Sequence, residues 1–457
     1  DMDMDMKFKA NESEFKNFLS LVPAAYTKDF ASVKAAGKLA FDGFVKGIYN
    51  DKQMPAFAAH IIIANAMFQY PSLPKSVNNI QVNVNIDNKT GNPDNTVIDV
   101  KKFHVEMAGN PLDVMMHVET PVSDAYLNGS VIGKIDLSSV KDVMPLESDQ
   151  SLNGKITADL KLDGHMSAIE KEKYDEFKAS GKLEVTGMNY KSKDIPYGIN
   201  LKSMLLNFTP QFVELASFDA LIGKSDIKAD GKIENFMQYA FKNELLKGRF
   251  SMRSNLMDLN EFMAEDPAAA TPAAADTAPM SVVEVPGNIE FVMNTTIGKL
   301  LYDNLVMTDV SGSVVIKDNT INMDHLKMKM LDGSMDMSGK YNTQDIKKPS
   351  IDFHLDIADF DIAKTNKAFV TVEKLAPISK YTQGKFSTVL DIKTQLDQKM
   401  DPVLTTLTGG GKLQTKSVMV SGFEPFNKLA DAIKMEKYKK INFSDPTWFV
   451  IYHHRLM

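Results

Sequence analysis

The chain has 457 residues, a formal net charge of −7 and no cysteine. The acidic balance, with no Lys/Arg block interleaved with aromatics, excludes a general nucleic-acid binder. The missing cysteine excludes a disulfide framework, a thiol nucleophile and a Cys-ligated zinc site.

Hydrophobic residues make up 44% of the chain, enough for a packed core. The length suits roughly three average domains or one long repeat array. The most apolar run, 58–68, is shorter than the roughly 18 residues that span a bilayer, and it contains His60 and Asn65. Asp1 falls in mid-strand, so the expectation is a fragment whose signal peptide or anchor lies upstream.

Residues 1–9 read as a strand, and 12–22 as a short helix with Phe15, Phe18, Leu19 and Val22 on one stripe. From Val33 onward apolar and polar residues alternate. Strands are expected at 37–43, 57–68, 77–86, 97–107 and 112–119, with Asn92-Pro93-Asp94 as a turn. Val82, Val84 and Ile86 share one face, and Asn83, Asn85 and Asp87 the other. Further strands open on Gly154-Lys155, Gly287-Asn288 and Gly384-Lys385, each after a proline. Short helices are expected at 167–178 with Ser167 as cap, and at 234–246, 361–376 and 425–437. The Ala/Pro/Thr stretch 265–279 has no periodicity and reads as a disordered linker or insertion. The segment from Asp445 holds the only Trp and departs from the pattern, as a final strand or an irregular end.

The clearest alternation is 326–341, a hairpin with Leu326, Met328, Met330, Met335 and Met337 on one face and an Asp332-Gly333 turn. Asp3, Asp113, Asp226 and Asp336 occupy similar contexts at steps of about 110 residues, the size of a structural unit.

Catalytic motifs are scarce. The eight histidines are scattered, without the i,i+4 spacing of helical metal ligands, so no metal or cofactor is expected. Gly409-Gly410-Gly411-Lys412 lacks the phosphate-loop spacing and leads into a strand, which favours a turn. The carboxylates lie on the polar side of strands or, as Asp163-Gly164 and Asp332-Gly333, in hairpin turns. No enzyme is expected. The positive signal is an excess of one-faced strands over the helices that could cover them. Methionine is abundant, at 28 residues, and its flexible side chain suits an irregular apolar partner.

The Gly-Lys-apolar strands carry a resemblance, together with Leu375-Ala376-Pro377 before a Gly-Lys strand. So do Ile222-Gly223-Lys224-Ser225-Asp226-Ile227 with Gly231, and 407–413 leading to Ser421-Gly422-Phe423. In these features residues 1–443 resemble the C-terminal region of AsmA-like proteins, Gram-negative envelope proteins related to TamB. The resemblance implies a mainly β chain with a few short helices, forming an elongated, repeating, twisted β-groove with an apolar interior. Groove repeats would occupy 1–263 and 281–443, around a disordered loop at 264–280 and an atypical tail at 444–457. It also implies a periplasmic protein anchored to the inner membrane by a segment outside this chain. Its partner would be phospholipid or another acyl-chain lipid, with envelope proteins as further partners. The expected groove lining is Val82, Val84, Ile86, Ile156, Leu160, Leu162, Leu183, Val185, Met328, Met330, Met335, Met337, Val389 and Ile392. The alternative is a surface array of closed β-sandwich domains that bind glycan or protein.

Overall fold

The computed structural model describes residues 1–15, 34–70, 72–143, 150–192, 195, 197–263, 282–369, 372, 376–443 and 447–453. The chain is mainly β. Among the described residues it has 22 strands and five short α-helices. The longest strand has 16 residues and the longest helix nine. The expected linker at 265–279 lies outside the described residues. So do 16–33, which hold most of the helix expected at 12–22. The first residues of that span, through Glu14, are strand.

The chain divides into two compact units, Asp1–Leu221 with Lys232–Gln238, and Ile222–Gly231 with Tyr239–Met457. The first contains β1 (Met2–Glu14), β2 (Lys34–Tyr49), β3 (Ala56–Gln69), β4 (Val77–Asn88) and β5 (Val97–Met107). It continues with β6 (Asn110–Glu119), β7 (Tyr126–Asp136), β8 (Ser151–His165), β9 (Lys178–Lys191) and β10 (Ile199–Phe208). Each strand pairs antiparallel with the next, from β1 through β10. This is an open meander, without the long returns of a sandwich. Strands β11 (Phe212–Ile222) and β12 (Ser225–Glu234) follow.

The second unit runs from β13 (Leu246–Asp258) to β14 (Ile289–Tyr302), which pair in parallel. A parallel pair needs a connection that returns from one end of the strands to the other, and the Ala/Pro-rich stretch lies within that connection. From β14 the antiparallel meander resumes through β15 (Leu305–Lys317), β16 (Thr320–Met330), β17 (Gly333–Asn342), β18 (Ser350–Asp361), β19 (Thr382–Gln395) and β20 (Thr408–Ser421). Both β21 (Lys440–Phe443) and β22 (Thr447–His453) pair with β20, so the irregular end contains a final strand.

Three of the hairpin turns are tight and left-handed, the hand that matches strand twist. Ala108 and Gly109 have φ of 49° and 84°, Asp318 and Asn319 51° and 57°, and Leu331 and Asp332 50° and 62°. The turn expected at Asp332-Gly333 is therefore one residue earlier. Gly333 lies in β17 opposite Met330, and the next strand passes so close that a Cβ there would sit 2.3 Å from the Ala358 carbonyl oxygen. Asp163 and Gly164 are likewise inside β8, where a Cβ on Gly164 would lie 2.7 Å from the Phe177 ring. Gly409–Gly411 are not a turn either. They lie in β20 opposite Leu390, Asp391 and Ile392.

The helices are shorter than their periodicity suggested. They are α1 (Met166–Glu170), α2 (Phe236–Lys242), α3 (Asn260–Met263), α4 (Ile362–Ala368) and α5 (Glu424–Ala432). Ser167 is not the cap of α1. His165 holds that position without a side-chain bond, and Asp124 accepts hydrogen bonds from the Ser167 N–H and Oγ, both at 2.8 Å. Burial alone would raise the Asp124 carboxyl, but the two Ser167 bonds hold it below the usual range. In α4, Asp361 is a true cap and accepts from the Lys364 N–H at 2.8 Å.

Candidate functional site

The strand registers align apolar side chains into rows that run across the strands of the first unit. One row passes from Leu39 through Ile63, Val82, Phe103, Val114, Val131 and Leu160 to Gly181 and Phe208. The next passes from Ala10 through Phe41, Ile61, Val84, Val100, Met116 and Gly129 to Leu162 and Ala179. A third holds Phe8, Gly43, Ala59, Ile86, Ile98, Val118, Leu127 and Gly164. With strands about 4.8 Å apart, each row is an apolar path of roughly 35 Å.

The opposite face is mostly polar, with Ile62, Met115 and Ile132 as exposed apolar exceptions. One row there reads Lys9, Asp42, His60, Asn85, Asp99, His117, Asn128, Asp163 and Lys178. Its members bond across the strands. His117 Nδ1 lies 2.6 Å from Asp99 and its Nε2 3.1 Å from Glu119. The Asp99 hydrogen bond raises the His117 imidazole above its ordinary value, with burial opposing and Glu119 assisting. Tyr126 donates to Asp163 at 2.8 Å, which lowers that carboxyl. His104–Asp113 and His325–Asp336 are further cross-strand pairs, at 2.7 and 3.2 Å, the first directly opposed and the second diagonal, in two of the hairpins that share the Asp spacing.

Coverage of the apolar face is uneven. Its margins are closed. Leu39, Ile63, Ala66, Val77 and Ile80 are buried with Phe15 and Val143. Leu127 is buried with Met166, Ala168, Ile169, Phe177 and Met237. Between these margins Val82, Val84, Ile86, Ile156, Leu160, Leu162 and Leu183 are only half-buried, although each lies in an apolar row. Val185 is buried, between Ile156 and Met204. A cavity of about 140 Å³ opens on this face. Its floor includes Met116, Gly129, Val131, Leu160, Leu162 and Ala179, and Phe208, Phe236 and Met237 complete the wall. Phe208 and Phe236 meet edge to face at 6.1 Å, so the start of α2 helps enclose the cavity.

In the second unit Met328 pairs with Met335 and Leu326 with Met337, and the same rows continue to Ile357 and Leu355. Met328 and Met330 are buried in a cluster with Ile297, Val310, Ile357 and Phe360, and Ala368 of α4 and Phe369 pack against it. These two methionines are core, and Met335 and Met337 are half-buried beside them. Ile392 lies in an apolar row between Phe353 and Gly409. Val389 does not. It is 41% exposed on the polar face between Asp356 and Lys412. Val389 and Ile392 are three residues apart in one strand, so they point to opposite faces.

Sequence alternation missed Phe103, Met116, Val131 and Phe208 as members of the face. In β5 an irregularity between Val100 and Phe103 puts two residues three apart on one side. Among the described residues no group of three His, Asp or Glu side chains is placed to hold a metal ion. No helix there is long and apolar enough to cross a membrane.

In comparisons with known proteins, no family model, curated protein or solved structure matches the chain.

Proposed function

We propose that this protein binds acyl-chain lipid on the open apolar face of its sheet and acts without catalysis. The observation that carries the reading is the half-buried row Val82–Phe103–Val114–Val131–Leu160, apolar at every rung and lying between covered margins. A water-exposed apolar strip of this length has a cost, because each methylene kept from water is worth about 0.8 kcal/mol. An acyl chain laid along it removes apolar surface from both partners. The rows present similar side chains at every step, so a chain can shift along them without meeting a polar rung.

The proposal extends to phospholipid in the bacterial envelope, between inner and outer membranes, the setting that the AsmA-like resemblance implies. The consecutive antiparallel order of β1–β10 favours this reading over an array of closed sandwiches, which need long returns between sheets.

The test uses photo-crosslinking amino acids at Val84 and Leu160 on the apolar face, and at Asn85 and Asp159 on the polar face. The protein is purified without detergent from cells and irradiated, and adducts are read by mass spectrometry. Phospholipid adducts from Val84 and Leu160 alone are the expected result. Equal yields from both faces, or none at either apolar position in folded protein, would overturn the proposal.

A further inference from the structure

Most apolar side chains of helix α5 and of the turn after it face water. Phe426 and Ala430 attach the helix. Ala430 is fully buried, and Phe426 packs with Phe423 on the cluster of Ile362, Val418 and Val420. The remaining apolar groups are free. Leu429 is 54% exposed, Ile433 45%, Met435 46% and Tyr438 37%. On a helix, positions four apart lie together, so Leu429 and Ile433 make one ridge.

The same segment is rich in cations. Residues 424–440 contain five lysines against three carboxylates, in a chain that is acidic as a whole. Two of the lysines are engaged. Lys428 pairs with Glu424 at 2.8 Å, and Lys439 with Asp431 at 2.7 Å and Glu436 at 3.0 Å. Lys434, Lys437 and Lys440 have no carboxylate partner among the described residues, and Lys437 lies over the Tyr438 ring at 5.1 Å. Exposed aliphatic groups flanked by unpaired lysines and a tyrosine match the surface of an anionic bilayer. The aliphatic groups enter the headgroup boundary, and the ammonium groups meet lipid phosphates.

We propose that α5 with the following turn, residues 424–440, is a docking element for an anionic lipid surface. It is separate from the apolar sheet face and stands independently of the reading given to that face. Residues Phe423, Phe426 and Ala430 hold the element to the sheet, so docking requires no unfolding.

The test is co-sedimentation of the full chain with phosphatidylcholine vesicles and with vesicles that also contain phosphatidylglycerol. Binding to the second set is expected, and much weaker binding to the first. A Lys434→Gln/Lys437→Gln/Lys440→Gln variant should lower partitioning onto the anionic vesicles by about a hundredfold, at roughly fivefold per lysine. A Leu429→Asp/Ile433→Asp variant should lose binding to both sets, and because both positions are exposed it should keep the wild-type circular dichroism. No binding by the wild type, or wild-type binding by both folded variants, would overturn the proposal. Crosslinking of lipid at Val84 is measured on the same variants. Retained crosslinking with lost vesicle binding supports docking through α5, and lost crosslinking with unchanged vesicle binding refutes it.

Discussion

Filling the cavity near α2 tests the apolar face most directly. Its volume of about 140 Å³ accepts four or five methylenes, at roughly 30 Å³ each, close to the share of a water molecule. At about 0.8 kcal/mol per methylene, those groups contribute roughly 3–4 kcal/mol to lipid binding, two to three orders of magnitude in affinity. Ala179 lies on the floor, next to Leu162 in its row. Ala179→Leu adds three carbons that occupy much of the space. The expected loss is about 2.4 kcal/mol, or roughly fiftyfold in affinity, while the added burial leaves the fold intact. Competition of a fluorescent fatty acid with phospholipid measures the loss. Thr157→Leu serves as control, because Thr157 is on the polar face between Lys134 and Glu184. If Ala179→Leu binds like the wild type while folded, or if Thr157→Leu loses as much, the cavity is not where the chain is held.

Other outcomes follow from the core and the turns. Met328→Ala should destabilise the second unit by about 2–3 kcal/mol in urea denaturation, since the side chain is 4% exposed among Val310, Ile357 and Phe360. Ala108→Asn should raise stability by about 1 kcal/mol, read as a higher urea midpoint. It replaces an alanine at φ 49° with a residue suited to the left-handed region and creates Asn-Gly, a favoured two-residue turn. The His117 imidazole is raised in the folded state, so its contribution is fully present below the unfolded value, near 6.5, and fades as pH rises through the higher folded value. His117→Gln should flatten the stability profile in that window, and an unchanged profile would show that the Asp99 contact does not couple to folding.

Much of the fold was legible because alternation is a direct record of a sheet with unlike faces. Val82, Val84 and Ile86 needed only their spacing to be placed on one side, and β16 and β17 only their methionines. What escaped depended on events between strands. The irregularity after Val100 shifts the parity of β5 and brings Phe103 into the face. Gly333 reads as a turn residue from its Asp-Gly context, but it stands in β17, where the close passage of Ala358 leaves no room for a Cβ. Val389 looked equivalent to Ile392 by composition, and only the register with Asp356 and Lys412 shows its side. The difference between Met328 as core and Leu160 as open surface lies in what packs above each, and a strand pattern contains no record of that.

The neighbour-to-neighbour order of β1–β10 has a consequence for how such a chain can change over time. Each rung is made by residues close in sequence, and every strand but the outermost depends on the one before and the one after. Adding or deleting one hairpin therefore alters the span of the surface by two strands and leaves the parity of all the others intact. Length becomes a variable that insertion can tune, whereas a closed barrel or sandwich must satisfy its return connections again after every such step.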